Sequence, residues 1–161
     1  MPKKQIIKLS QNSVDFGDEM LGLYLGVWDN TDGTTIPAPY SGDEFISIIE
    51  GVGESVNDIP WQETSDGHRK KVLYQNHNQT FTAGIWQSKG FNTSLMSFSY
   101  NEFIMIKQGK LICTDDLGVE HKINAGEALF IPQGVRCSWL AQGKITLHFV
   151  QIKLVNSPLP V

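Results

Sequence analysis

Short runs of β-favouring residues, each closed by a turn, follow one another along the second half of the chain and strongly constrain its fold. Valine, isoleucine, phenylalanine and threonine fill the runs, while glycine, asparagine and aspartate separate them at intervals of roughly 8–12 residues. No amphipathic helix of more than two turns is visible. Strands at this spacing are typical of all-β sandwiches and barrels. The runs are Thr80–Trp86, Ser94–Ser99, Glu102–Lys107, Lys110–Thr114, Ala128–Pro132 and Lys144–Lys153.

Length, charge and cysteine count exclude several classes of protein. A chain of 161 residues suits one domain, and its net charge of −4 comes with no basic stripe of the kind that binds phosphate. We therefore expect no nucleic-acid partner. No segment approaches the ~18 apolar residues of a membrane span, and the charged N-terminus is unlike a secretion signal. Two cysteines are too few for a disulfide framework, so we expect a cytoplasmic protein without membrane association.

An internal repeat divides the chain into unequal parts. Residues 26–51 match residues 84–109 at an offset of 58, with 9 of 26 positions identical and no gap. The second copy continues into further strands, whereas the first fades after about Asn57. The sequence therefore predicts an N-terminal β half-repeat or arm over 1–57, a polar linker over 58–77 with one short strand, and a complete barrel over 78–155. The basic cluster His68–Lys71 is interpreted as a solvated loop in this linker.

Two glycine motifs in the second copy resemble those of the cupin superfamily. Glu102 precedes Gly109 by seven positions, as at the end of the first cupin motif, and Gly126 opens a Gly-x5-Pro-x-Gly segment like the second. Together with Trp86 and Trp139, they are similar to the small cupins related to ureidoglycine aminohydrolase and the ethanolamine-utilisation cupins. This resemblance implies a double-stranded β-helix, or jelly-roll barrel, with an extra N-terminal β half-unit. It also implies a small-molecule ligand in the barrel mouth and a homodimer.

The metal ligands of metal-binding cupins are mostly missing. The resemblance implies two histidines and one glutamate from the first motif and one histidine from the second. Glu102 stands at the glutamate position and Cys137 at the second-motif histidine. The first-motif histidine positions hold Leu95 and Ser97, or Met96 and Phe98, depending on the spacing. Because imidazoles supply most of the affinity for such ions, we expect no bound metal or other cofactor, with a weakly bound divalent ion left open.

Glu102 and His148 are the candidate catalytic residues. A carboxylate on the same strand face as Ile104 and Ile106 would have a raised pKa and could act as a general acid or base. The alternative is a structural glutamate at the barrel rim. His148 lies on the opposite face of its strand from Leu147, and it is either a proton carrier in the pocket or a surface or core histidine.

Aromatic residues and one cysteine are the candidate pocket wall. The predicted pocket residues are Trp86, Phe98, Tyr100, Cys137 and Trp139. Cys137 could be a nucleophile or a small packed residue, since Arg136 is the nearby charge that could lower its pKa. Three functions stay open: binding of a small polar metabolite, catalysis of an isomerisation or hydrolysis with Glu102, and an assembly module that uses residues 14–57.

Overall fold

The chain folds into antiparallel β-sheets. The computed structural model describes residues 5–8, 13–18, 23–27 and 59–153. Within these ranges there is no helix, and hence none that is long and apolar enough to cross a membrane. The strands are β1 (Ile7–Lys8), β2 (Ser13–Asp18), β3 (Leu23–Val27), β4 (Gln62–Glu63), β5 (Arg69–Gln75), β6 (Phe81–Ser88), β7 (Phe91–Asn92), β8 (Met96–Ser97), β9 (Asn101–Gln108), β10 (Lys110–Asp115), β11 (Glu120–Asn124), β12 (Ala128–Ile131), β13 (Arg136–Ala141) and β14 (Ile145–Ile152).

Two of the sheets form the barrel. The larger sheet has seven strands in the order β1-β12-β9-β14-β6-β5-β4, and the smaller has the order β11-β10-β13-β7, with β8 also paired to β13. Sequence-distant strands are neighbours in both sheets, as in a jelly roll. Side chains from the inner faces of the two sheets form one hydrophobic core. The predicted all-β, double-stranded β-helix fold is confirmed.

Strand β9 shows how the sequence pattern builds this core. Its alternate residues Glu102, Ile104 and Ile106 point inward, because neighbouring side chains of a strand leave on opposite faces. Ile104 pairs with Leu129 of β12 on one side and with Phe149 of β14 on the other. Both isoleucines are 0% exposed. The inward face therefore runs from a carboxylate at one end of the barrel to packed aliphatic side chains at the other.

Two glycines of the repeat are needed where the backbone is crowded. Gly109, between β9 and β10, has a φ of +88°, and a Cβ there would lie 2.5 Å from the carbonyl oxygen of Lys144. Gly84, in β6, would place a Cβ 2.1 Å from the carbonyl oxygen of Lys71 and 2.9 Å from the Phe149 ring. The first allows a tight hairpin, and the second lets the Phe149 ring lie against β6.

The predicted linker contributes to the larger sheet. Strand β5 pairs with β6, and β4 pairs with β5 at the sheet edge. The charged side chains made this segment resemble a loop, but Arg69 and Lys71 lie over the Trp61 ring, at 4.4 Å and 4.9 Å from its centroid. Arg69 also donates a hydrogen bond to Gln87 over 2.8 Å. Charged residues at a sheet edge are a common feature of β proteins.

The N-terminal part is described only in short pieces. Strands β2 and β3 pair as an antiparallel hairpin within the predicted half-repeat, and β1 pairs with β12 of the larger sheet. Most of the first repeat copy, including Trp28 and Glu44, lies outside the described residues.

Candidate functional site

A cavity of about 610 Å³ opens between the two sheets at one end of the barrel. Its floor is the inner face of the larger sheet, where Trp86, Leu147 and Phe149 contribute apolar surface. The short strands β7 and β8 and the segment that follows them form the facing wall. The lining combines these apolar side chains with a larger number of polar ones, and the volume is within the range of small-molecule sites.

Glu102 is the buried acid of this cavity. It is the first inward residue of β9, and it is 8% exposed. The Gln151 side-chain amide on β14, paired directly with it in the sheet, donates a hydrogen bond to Glu102 Oε1 over 3.3 Å. Burial raises the pKa of Glu102 to about 7 because the charged form loses its hydration, while the Gln151 hydrogen bond works weakly in the other direction. The carboxyl group can therefore accept or give up a proton near neutral pH.

Four aromatic rings form a continuous wall of the cavity. Phe98 and Trp139 have ring centroids 5.3 Å apart, and Trp139 lies 6.4 Å from Phe91. Phe91 in turn packs edge-on against Trp86 at 5.1 Å. These residues come from β6, β7, β13 and the segment after β8, so the wall exists only when the two sheets face each other.

A polar group from the segment before β5 also lines the cavity. The His68 ring packs 4.8 Å from the Trp86 ring, and its Nε2 lies 3.5 Å from Asp66 Oδ2. The Thr64 hydroxyl donates a hydrogen bond to Asp66, which is the main cause of the lowered pKa of that carboxyl. This group was not predicted, because the charged residues of the segment were interpreted as a solvated loop. The sequence does contain an indication of a strand here, because alternation with a period of two places His68, Lys70 and Val72 on one strand face.

Four of the five predicted pocket residues line the cavity. Trp86, Phe98, Tyr100 and Trp139 are among its walls. Cys137 is not: it is fully buried in the core behind the wall.

Cys137 lies on the inner face of β13, close to the Cys113 thiol on β10. Both cysteines are free. The hydrogen bond between the two thiols lowers the pKa of Cys137, and it raises the pKa of Cys113, which burial raises further. Both residues belong to the hydrophobic core.

The structure does not bring His148 and Glu102 together. Leu147, Phe149 and Gln151 line the cavity, whereas His148 leaves the opposite face of β14 and pairs with Ile85 and Met105 there. Burial lowers the pKa of His148 to about 4, and the nearby Lys107 charge adds to the effect. The alternation of β14 separates the two residues that the sequence analysis named as acid and base.

Comparison with known families identifies the domain. Residues 76–149 match the family described as the EutQ-like cupin domain. These residues form a cupin domain similar to the ethanolamine-utilisation cupins. No curated protein matches it. The matched residues span the cavity floor, Glu102 and the aromatic wall, so the site described above is the mouth of the cupin barrel.

Solved structures show the same fold. An RmlC-like cupin from Shewanella frigidimarina has a TM-score of 0.54 and 16% identity, over 66% of this chain and 95% of that one. The Cnp3 cupin domain of Schizosaccharomyces pombe has a TM-score of 0.52 and 18% identity, over 64% and 74%. The EutQ protein of Clostridium difficile has a TM-score of 0.48 and 20% identity, over 63% and 81%. The first two similarities support the jelly-roll fold.

The metal centre of metal-binding cupins does not fit these residues. Of the positions that would supply histidines, Met96, Ser97 and Phe98 line the cavity beside Glu102, and none carries an imidazole. Within the described part of the chain, no three His, Cys, Asp or Glu side chains come together in a way that could hold an ion. One carboxylate is a poor site for a transition metal.

Proposed function

We propose that this cupin binds a small metabolite in the cavity, without a tightly bound metal. The observation that carries the proposal is the cavity of about 610 Å³, in which a buried carboxyl and an amide converge beside a continuous aromatic wall. Aromatic surface provides most of the contact area in such sites, and a few placed polar groups orient the ligand.

A metabolite screen by thermal unfolding of the full chain tests this proposal. Ser99 is exposed and lines the cavity, whereas Ser94 is exposed and does not line it. Ser99→Trp should obstruct the mouth without disturbing the core, and Ser94→Trp is the matched control. We expect at least one compound to raise the Tm of the wild type and of Ser94→Trp but not of Ser99→Trp. Equal shifts in all three proteins would place the binding elsewhere and contradict the proposal.

Catalysis is the second candidate function, and the pKa of Glu102 near 7 is the observation that favours it. A carboxyl group that titrates near neutral pH suits a general acid or base in an isomerisation or hydrolysis of a small metabolite or sugar derivative. Once a ligand is known, Glu102→Gln should lower turnover at saturating ligand by roughly 10²–10⁴-fold. A variant that turns over normally at saturating ligand would rule out a catalytic role for Glu102.

We also propose a homodimer located in the cytoplasm. The free state of Cys113 and Cys137 supports a reducing compartment. Light scattering of the purified full chain should give a mass of about twice 18.0 kDa. A mass of 18.0 kDa across the micromolar range would contradict the dimer.

A further inference from the structure

The Glu102 carboxylate lacks a positively charged partner in the described part of the chain. A carboxylate has about four lone-pair sites for hydrogen bonds. Gln151 fills one of them, over a long 3.3 Å. Among the described residues, Asp66 pairs with His68, Asp115 with His121, and Glu120 with Lys122. A buried charge without such a partner is costly, so a donor on a ligand would stabilise the ionised form of Glu102.

The charged side chains that line the cavity in the described part of the chain are not placed to pair with Glu102. Lys70 lines the cavity from β5, which is separated from β9 by β6 and β14. Three strand spacings place Lys70 on the order of 14 Å away along the sheet. Asp66 and His68 pair with each other in the same segment. The other titratable groups that face this region are Tyr100 in the wall and the Cys137 thiol behind it.

The aromatic wall favours the same kind of ligand. The rings of Trp86, Phe91, Phe98 and Trp139 all line the cavity. The electron-rich face of an aromatic ring attracts a cation, whereas an anion gains nothing comparable there. A buried carboxylate and a wall of aromatic rings are therefore complementary to a positively charged group attached to an apolar body.

We propose that the ligand of this cavity carries a protonated amine whose N–H groups donate to the Glu102 carboxylate, with its apolar part against the aromatic wall. The inference rests on the proposed small-molecule function and specifies its chemical class. No covalent bond forms between the protein and the ligand. Where Glu102 is protonated in the empty site, its O–H bond breaks and the proton passes to solvent as the ammonium group binds.

Three probes of similar size and different charge test the proposal by calorimetry on the full chain: benzylamine, benzyl alcohol and benzoate. We expect wild-type protein at pH 8 to bind benzylamine at least about 10-fold more tightly than either of the others, in line with the ~1.4 kcal/mol that a tenfold change represents. Glu102→Gln should remove this preference. Glu120→Gln, an exposed glutamate on β11, is the matched control and should retain it.

The wild type alone provides a second test if Glu102→Gln fails to fold. Benzylamine stays protonated between pH 5.5 and pH 8, while the carboxyl of Glu102, with a pKa of about 7, changes from mostly protonated to mostly ionised. Because the amine competes with that proton, its affinity should rise about 30-fold over this range. Benzyl alcohol should show no comparable change.

Each other outcome contradicts the inference. Equal binding of benzylamine and benzyl alcohol in the wild type would leave a small-molecule pocket without amine selectivity. Preference for benzoate would reverse the proposed charge. Absence of binding by all three probes would overturn the amine proposal, and the independent metabolite screen with Ser99→Trp would then decide whether the cavity binds small molecules at all.

Discussion

The two ends of the barrel interior use one strand in different ways. At one end of β9, Ile106 faces a closed core and is 0% exposed, with Leu111 and Ile123 of the smaller sheet belonging to the same cluster. At the other end, Glu102 faces a cavity of about 610 Å³. The smaller sheet explains the difference. Strands β10 and β13 have six residues each, but β7 and β8 have two each. The sheet thus covers one end of β9 and leaves the other open.

This difference separates stability from binding within one domain. Closely packed aliphatic side chains at the closed end stabilise the fold. The open end contains a carboxyl group whose ionised form is destabilised by burial, and such groups are common at functional sites. Substitutions at the closed end should therefore change the free energy of unfolding, and those at the open end should change how it depends on pH and ligand.

The largest effect is expected at the closed end. Ile104→Ala removes a fully buried side chain that packs between β12 and β14, and it should lower the free energy of unfolding by about 2–5 kcal/mol. Denaturant unfolding followed by fluorescence measures this. Leu117→Ala, at a position 68% exposed, is the control and should change it by less than about 0.5 kcal/mol. A loss below about 1 kcal/mol at Ile104 would show that the closed end is not tightly packed.

The next effect comes from the proton of Glu102. Its pKa is raised from 4.5 to about 7 by burial, so the folded chain holds this proton more tightly than the unfolded chain. This stabilisation is complete below about pH 4.5 and is lost as the pH rises through 7. Relative to Glu102→Gln, the wild type should lose about 3 kcal/mol of unfolding free energy between pH 4 and pH 8.

Denaturant unfolding at several pH values measures that difference. Glu120→Gln, which changes an exposed carboxylate, should follow the wild-type profile. Parallel profiles for wild type and Glu102→Gln would mean that Glu102 titrates near its ordinary value, and the contrast between the two ends of β9 would then be one of shape only.

A smaller effect is expected at Gly84, where the cavity floor meets the packed sheet. Gly84→Ala would place its Cβ 2.1 Å from the Lys71 carbonyl oxygen, so β5 or β6 must shift and the Phe149 ring must move. The cost should be about 1–3 kcal/mol in unfolding free energy. Thr82→Ala, on the same strand, loses an exposed hydrogen bond with Gln75 and should cost less than about 1 kcal/mol. Equal losses at both positions would refute the close approach.

The smallest effect is expected from metal. Because no three His, Cys, Asp or Glu side chains of the described residues come together to hold an ion, EDTA or excess Zn²⁺ should change the Tm by less than about 1 °C. Elemental analysis of protein purified without a His-tag should find far less than one transition-metal ion per chain. A near-stoichiometric metal, together with a Tm loss of several degrees in EDTA, would refute this expectation and require ligands beyond the described residues.

Much of the fold could be predicted from local sequence. Alternation within runs such as Glu102–Lys107 and glycines at the turns indicated strands and hairpins, and the Gly126-x5-Pro132-x-Gly134 spacing indicated a cupin, which is confirmed. The length of strand β5 was underestimated because its charged residues are typical of a loop. Arg69 is stabilised by the Trp61 ring, which lies outside the strand, and by Gln87 of β6, which is distant in sequence. Glu102 could be identified as the candidate acid because it stands at the glutamate position of the first cupin motif.

The local pattern of residues is enough to tell which side chains alternate inward, where the chain turns, and that imidazoles are missing from the cupin motif positions. Which inward side chains face a cavity and which face a packed core depends on how the two sheets come together. Glu102 and Ile106 have the same local pattern, yet their surroundings come from β13, β7 and β8, which lie far away along the chain. Likewise, the face that His148 shares with Ile85 became the one away from the cavity. Burial, and with it the pKa of an acid, depends on these long-range contacts, which a local pattern does not contain.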